Sequence, residues 1–106
     1  MNVKADGQLR HRFHGDYSAV IALVFEDAEK ASVVLQKLGG NWKPGKAPMT
    51  LVWVGNSDEL QDVKAILGEH GGADVKKIDS IRKSIDYGEP FECNFKVANP
   101  NQLSMF

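Results

Sequence analysis

The chain has 106 residues, 42% of them apolar and 25% charged, and its formal net charge is −1. That size and mix suit a single globular domain with its own core, and the near-neutral charge excludes a general electrostatic attraction of the whole molecule for nucleic acid. A single cysteine, Cys93, excludes an internal disulfide and predicts a reducing, cytoplasmic setting.

Residues 1–7 carry no clear periodicity and are expected to be a flexible N-terminus. Leu9, His11 and Phe13 alternate with Arg10 and Arg12, the period of a half-buried strand. Gly15-Asp16 then separates this run from Tyr17 to Phe25, and a Gly-Asp connection between two β-like runs predicts a hairpin. The second run is apolar on both faces beyond Ser18. It reads as a central strand covered on each side, or on one side by the domain and on the other by a partner. Its longest apolar stretch, Ala19 to Phe25, is far too short to span a bilayer, and no signal-peptide pattern opens the chain, so no membrane partner is expected.

Residues 26–38 predict a helix, because Ala28, Ala31, Val34, Leu35 and Leu38 recur at spacings of three and four. Gly39-Gly40 supplies its left-handed stop. A loop over residues 41–48 leads into a second buried strand, Met49 to Val54. Asn56 is then a helix N-cap, with Glu59 three residues on, and the second helix shows Leu60, Val63, Ile66 and Leu67 before Gly71-Gly72 stops it. Shifted by 32 residues, the two helix patterns and their glycine stops coincide, which a shared period and a shared stop suffice to produce. Asp74 to Ile78 reads as a short strand. Ile81, Lys83, Ile85 and Tyr87 fall on one face of a further run. Phe91, Cys93, Phe95 and Val97 then alternate with Glu92, Asn94 and Lys96, the cleanest strand pattern in the chain. The expected fold is α+β: two helices packed on one face of a mixed sheet of about five strands, with a ferredoxin-like arrangement carrying an extra N-terminal strand as one form of it. The folded domain is expected to cover residues 8–97.

Chemistry is sparse along this framework. Residues 40–46 have the glycine, four-residue, glycine, lysine spacing of a phosphate loop, but Ala47 and Pro48 stand where a hydroxyl would bind magnesium, and the segment leaves a helix instead of opening one. A Pro-Gly turn with solvated lysines explains the same residues. His11 and His14 are three apart on a strand and point to opposite faces, and three histidines with one cysteine fall short of a structural zinc set. Cys93 lies on the core face between Phe91 and Phe95, where a thiol acts as a small hydrophobe. Asp58 and Asp62 share a helix face that reads as solvated. Neither a catalytic constellation, nor a metal site, nor a cofactor is expected. Lys76, Lys77, Arg82 and Lys83 form a basic segment, with Arg10 and Arg12 as an extension, and together they are candidate contacts for a phosphate backbone.

The chain closes on Gln102-Leu103-Ser104-Met105-Phe106, after a proline-containing stretch from Val97 to Asn101 that predicts a flexible tail over residues 98–106. With near-average composition, a pentapeptide of this pattern arises by chance roughly once in 10⁶. It resembles the sliding-clamp-binding motif of bacterial replication and repair proteins, commonly Gln-Leu-(Ser/Asp)-Leu-Phe. Met105 stands at the commoner leucine, and its flexible thioether fills similar pockets. The resemblance covers five residues and implies their roles. Gln102 would anchor the peptide at the entrance of an apolar cleft on the clamp, Leu103 would fill one subsite, and Met105 and Phe106 the deeper pocket, with Ser104 a spacer. The function expected on this basis is that of a small, non-enzymatic bacterial or phage accessory protein that binds the clamp and modulates replication or repair. The competing expectation is a nucleic-acid-binding or protein-binding accessory domain whose C-terminus is structural, with Leu103, Met105 and Phe106 folded back as an apolar plug.

Overall fold

The computed structural model describes residues 2–14, 16–47, 49–79 and 89–97. They form β1 (Asn2–His14), β2 (Asp16–Phe25), α1 (Ala28–Leu38), β3 (Lys43–Pro44), β4 (Thr50–Asn56), α2 (Ser57–Gly71), α3 (Val75–Asp79) and β5 (Phe91–Lys96). The five strands make one open sheet in the order β3-β4-β2-β1-β5, and every neighbouring pair is antiparallel. The fold is therefore α+β with three helices, and the sheet is antiparallel where a mixed one was expected. The reason lies in β3. Two strand–helix units in series suggest a parallel crossover, but the two-residue β3 reverses the chain after α1, so β4 enters the sheet against β2.

The N-terminal segment also differs from expectation. Residues 2–7, expected to be flexible, are strand: they pair with β5 from Asn2↔Lys96 to Gly7↔Phe91. Val3, Ala5 and Gly7 are buried while Asn2, Lys4 and Asp6 are exposed, a period of two that small residues make faint in the sequence. The β1–β2 hairpin forms as expected, with Leu9 opposite Ile21 and Asp16 already within β2. Asp74 to Ile78, expected as a strand, carries α3 instead. The Asp74 side chain accepts from the Lys76 amide at 3.1 Å, the Lys77 amide donates to the Asp74 carbonyl at 3.0 Å, and Ile78 alone anchors the turn in the core.

Both long helices start where capping chemistry sets them. Asp27 accepts from the Lys30 amide and Asn56 Oδ1 from the Glu59 amide, each at 2.8 Å, contacts that stabilise a helix by about 1 kcal/mol each. α1 ends before Gly39 and Gly40, both at positive φ, and α2 before Gly72, which sits in the left-handed region at φ 60°.

The helices lie against one sheet face. Val3, Ala5 and Leu9 of β1, Ala19, Ile21, Leu23 and Phe25 of β2, Leu51 and Trp53 of β4, and Phe91, Cys93 and Phe95 of β5 meet Ala31, Val34, Leu60, Val63 and Leu67 of the helices in one core. Gly71 lets α2 approach β5: a Cβ there would lie 2.9 Å from the Phe95 ring. The other face is uncovered by any described residue. Its cross-strand rows run Asp6–Val24–Thr50, Gln8–Ala22–Val52–Lys43 and Arg10–Val20–Val54. Among the described residues, β2 is covered on one side.

Candidate functional site

Gln102, Leu103, Ser104, Met105 and Phe106 lie outside the described residues, as do Arg82 and Lys83 and the run from Ile81 to Tyr87. What the structure describes is the point from which the final segment departs. β5 ends at Lys96, whose carbonyl accepts from Lys37 Nζ in the last turn of α1. Val97 remains half-buried against the core, as do Leu35 and Leu38. The chain thus leaves the sheet at the end of α1.

Lys76 and Lys77 are exposed on α3, which Ile78 fixes to the helix-covered side. Arg10 alternates with buried Leu9 and sits on the opposite, uncovered face. Strand parity separates it from the α3 lysines, so Arg10 does not extend their surface, and the Arg12 side chain is outside the described set. Trp42 and Trp53 are both buried, which removes the two indoles as platforms for base stacking.

Lys4, Asp6, Val24, Glu26, Glu92 and Asn94 line the rim of a groove of about 500 Å³, at whose base lie Cys93 and Gly71. Asp6 and Glu92 are directly opposed across β1 and β5, and Glu26 is held by Lys30 Nζ at 2.6 Å, which pushes that ammonium pKa upward. Among the described residues no group of three His, Cys, Asp or Glu is arranged to hold a metal ion. Burial pushes the Cys93 thiol up to about 12, so at neutral pH it is a protonated hydrophobe and not a nucleophile. A smaller groove of about 180 Å³ runs beneath Trp42 and Trp53 and is rimmed by Glu59 and Asp62 of α2, while Asp58 is exposed. His70 is exposed at the end of the same helix.

Residues 40–47 form no phosphate cradle. They leave α1, pair through β3 with β4, and close with the Gly45 amide donating to the Thr50 carbonyl at 2.8 Å. Among the described residues no helix is long and apolar enough to cross a membrane. Comparison with protein-family models, with curated proteins and with solved structures finds no match to the chain.

One feature of the surface had a partial signal in the sequence. Val20, Ala22 and Val24 were visible as the second apolar face of β2, but their alignment beside Thr50, Val52 and Val54 depends on the β2–β4 register, which no local pattern specifies.

Proposed function

We propose that this protein is a small non-enzymatic accessory protein of bacterial or phage origin, acting in the cytoplasm. In this reading it binds the DNA polymerase sliding clamp through Gln102, Leu103, Ser104, Met105 and Phe106 and so modulates replication or repair. The observation that carries the reading is the pentapeptide itself, in which one side-chain amide and three large apolar groups have the order and spacing of the clamp-binding motif. The composition of the core is compatible with it: twenty buried apolar residues between Val3 and Phe95 already make a continuous cluster among the described residues. Motif and domain then have separate work, the one docking and the other deciding what is brought to, or kept from, the clamp. As to the fold, β2-α1-β3-β4-α2-β5 follows the order of a ferredoxin-like split β-α-β unit. We read β2-α1-β3, with β4 between its two parallel strands, as the split half of that unit; β1, lying between β2 and β5, turns β5 antiparallel to β4, so the second half departs from it.

A short motif of this kind concentrates its affinity in a few anchors and loses ordering entropy on docking. Titration of the protein into a bacterial sliding clamp should give micromolar-scale binding, on the order of −8 kcal/mol. Gln102→Ala combined with Phe106→Ala should abolish it, Met105→Leu should preserve or strengthen it, and a peptide of residues 98–106 should compete. Absence of binding to the clamp of its own host, or binding that survives the double alanine change, would overturn the reading.

A further inference from the structure

The groove of about 180 Å³ has two indoles and two carboxylates in its wall, and none of its lining residues is basic. Glu59, Asp62 and Ile66 recur at spacings of three and four, so they stand in line on one face of α2. Trp53 meets them from β4, and Trp42 is held at the end of α1 by its amide, which donates to the Gly39 carbonyl at 3.4 Å. Gly55 measures how close acid and indole lie: the position of a Cβ there is 2.4 Å from Trp53 Cζ2 and 3.2 Å from Glu59 Oε2. Gly39 and Gly40 bring the C-terminus of α1, with the negative end of its dipole, to the same wall. The basic residue of that last turn, Lys37, donates to the Lys96 carbonyl instead.

We propose that this groove binds a methylated ammonium group, carried by a free amine or by a side chain of a peptide. The charge of such a group is spread over its methyls, so it needs no set of directional hydrogen bonds. Indole rings attract it through their quadrupole, and Glu59 and Asp62 supply the opposite charge. Other ligands fit less well. An anion would meet two carboxylates and a helix C-terminus. A bare calcium-like cation takes about six oxygen ligands or more, and among the described residues no three His, Cys, Asp or Glu are grouped to hold one. Trp42 and Trp53 are only 6% and 2% exposed, so they wall a compact group and offer no open face to a base. The volume also lies below the roughly 300 Å³ at which pockets for larger ligands begin.

The chain has only two tryptophans, so its indole N–H resonances report on this groove alone. Titrating tetramethylammonium chloride into the full chain at constant ionic strength should shift both resonances saturably, with the millimolar-scale affinity expected of so few atoms. tert-Butyl alcohol, similar in shape and uncharged, should leave them in place. Glu59→Gln with Asp62→Asn changes two exposed positions and should weaken binding about tenfold or more, with an unchanged circular dichroism spectrum. A trimethyl-lysine peptide that binds more tightly than tetramethylammonium would support the assignment and place the group on a peptide side chain; equal affinity would support it and place the group on a free amine. Resonances that do not move, an equal response to the alcohol, or binding that survives the double change would each overturn the proposal. The titration contains no clamp, so it stands or falls independently of clamp binding.

Discussion

Gly7 and Phe91 face each other across the β1–β5 ladder, and the phenylalanine ring fills the space into which any side chain at position 7 would extend. A Cβ there would also lie 2.9 Å from Leu23 Cδ2. Glycine is used here for room and not for backbone freedom. Gly7→Ala should destabilise the domain by about 1–3 kcal/mol, the cost of forcing an extra group into a packed core. Urea denaturation with unchanged slope and a lowered midpoint is the expected result; an unchanged midpoint would show that the ring moves aside freely.

Cys93 gives a pH signature. Its thiol pKa is raised by burial from 9.0 to about 12 in the folded chain. A raised folded pKa contributes stability below the unfolded value, and that contribution is lost as pH rises from about 9 toward about 12. Cys93→Ser leaves the volume nearly intact and removes the thiol titration. Its stability should fall less between pH 9 and pH 11 than that of the wild type. Thiol reagents at pH 8 should label the wild type only at the rate of unfolding, and rapid labelling of the native protein would contradict the burial.

The basic surface makes a narrower prediction than the sequence alone allowed. Any nucleic-acid binding should be salt-sensitive and should respond to charge reversal at Lys76 and Lys77, with a flatter salt slope. Arg10→Glu, on the other sheet face, should leave that slope alone. Gel shifts at low salt that detect no complex with single- or double-stranded DNA or RNA would remove this surface from consideration.

The final segment is tested by truncation. With the core built from Val3 to Phe95 and Val97 packed at its margin, a chain ending at Val97 should keep its melting temperature to within a few degrees. A fall of about 10 °C or more would mean that Leu103, Met105 or Phe106 is a core residue, since large apolar truncations cost several kcal/mol.

The elements read most directly from the sequence were those with strong local chemistry. The Asn56 cap and both glycine stops were legible, because a cap is a contact between residues three apart and a left-handed glycine is a single-residue property; the first helix, expected from residue 26, instead starts after Asp27, which caps it. β5 was legible because its large apolar groups alternate without interruption. β1 was half legible. Its segment before Leu9 buries only valine, alanine and glycine, and two of these three are depleted in strands, so the alternation carries little weight until β5 is seen beside it. The strand directions were hidden in Lys43–Pro44, two residues that no periodicity can mark. The surface across β2 and β4 is a matter of register between strands more than 25 residues apart, whereas the pentapeptide is contiguous and readable without any fold.

The pairing of Asn2 with Lys96 has a mechanical consequence. The two ends of the described chain leave side by side from one end of the same antiparallel ladder, with α carbons only about 5 Å apart. Tension applied through residues 2 and 96 therefore acts across the strands and opens the β1–β5 hydrogen bonds rung by rung, in contrast to a shear geometry that loads them together. The same adjacency places anything fused ahead of residue 2 beside Val97, the point from which residues 98–106 depart. An N-terminal affinity tag would therefore sit beside the exit of the C-terminal segment, whereas an insertion at the distant β1–β2 turn would not.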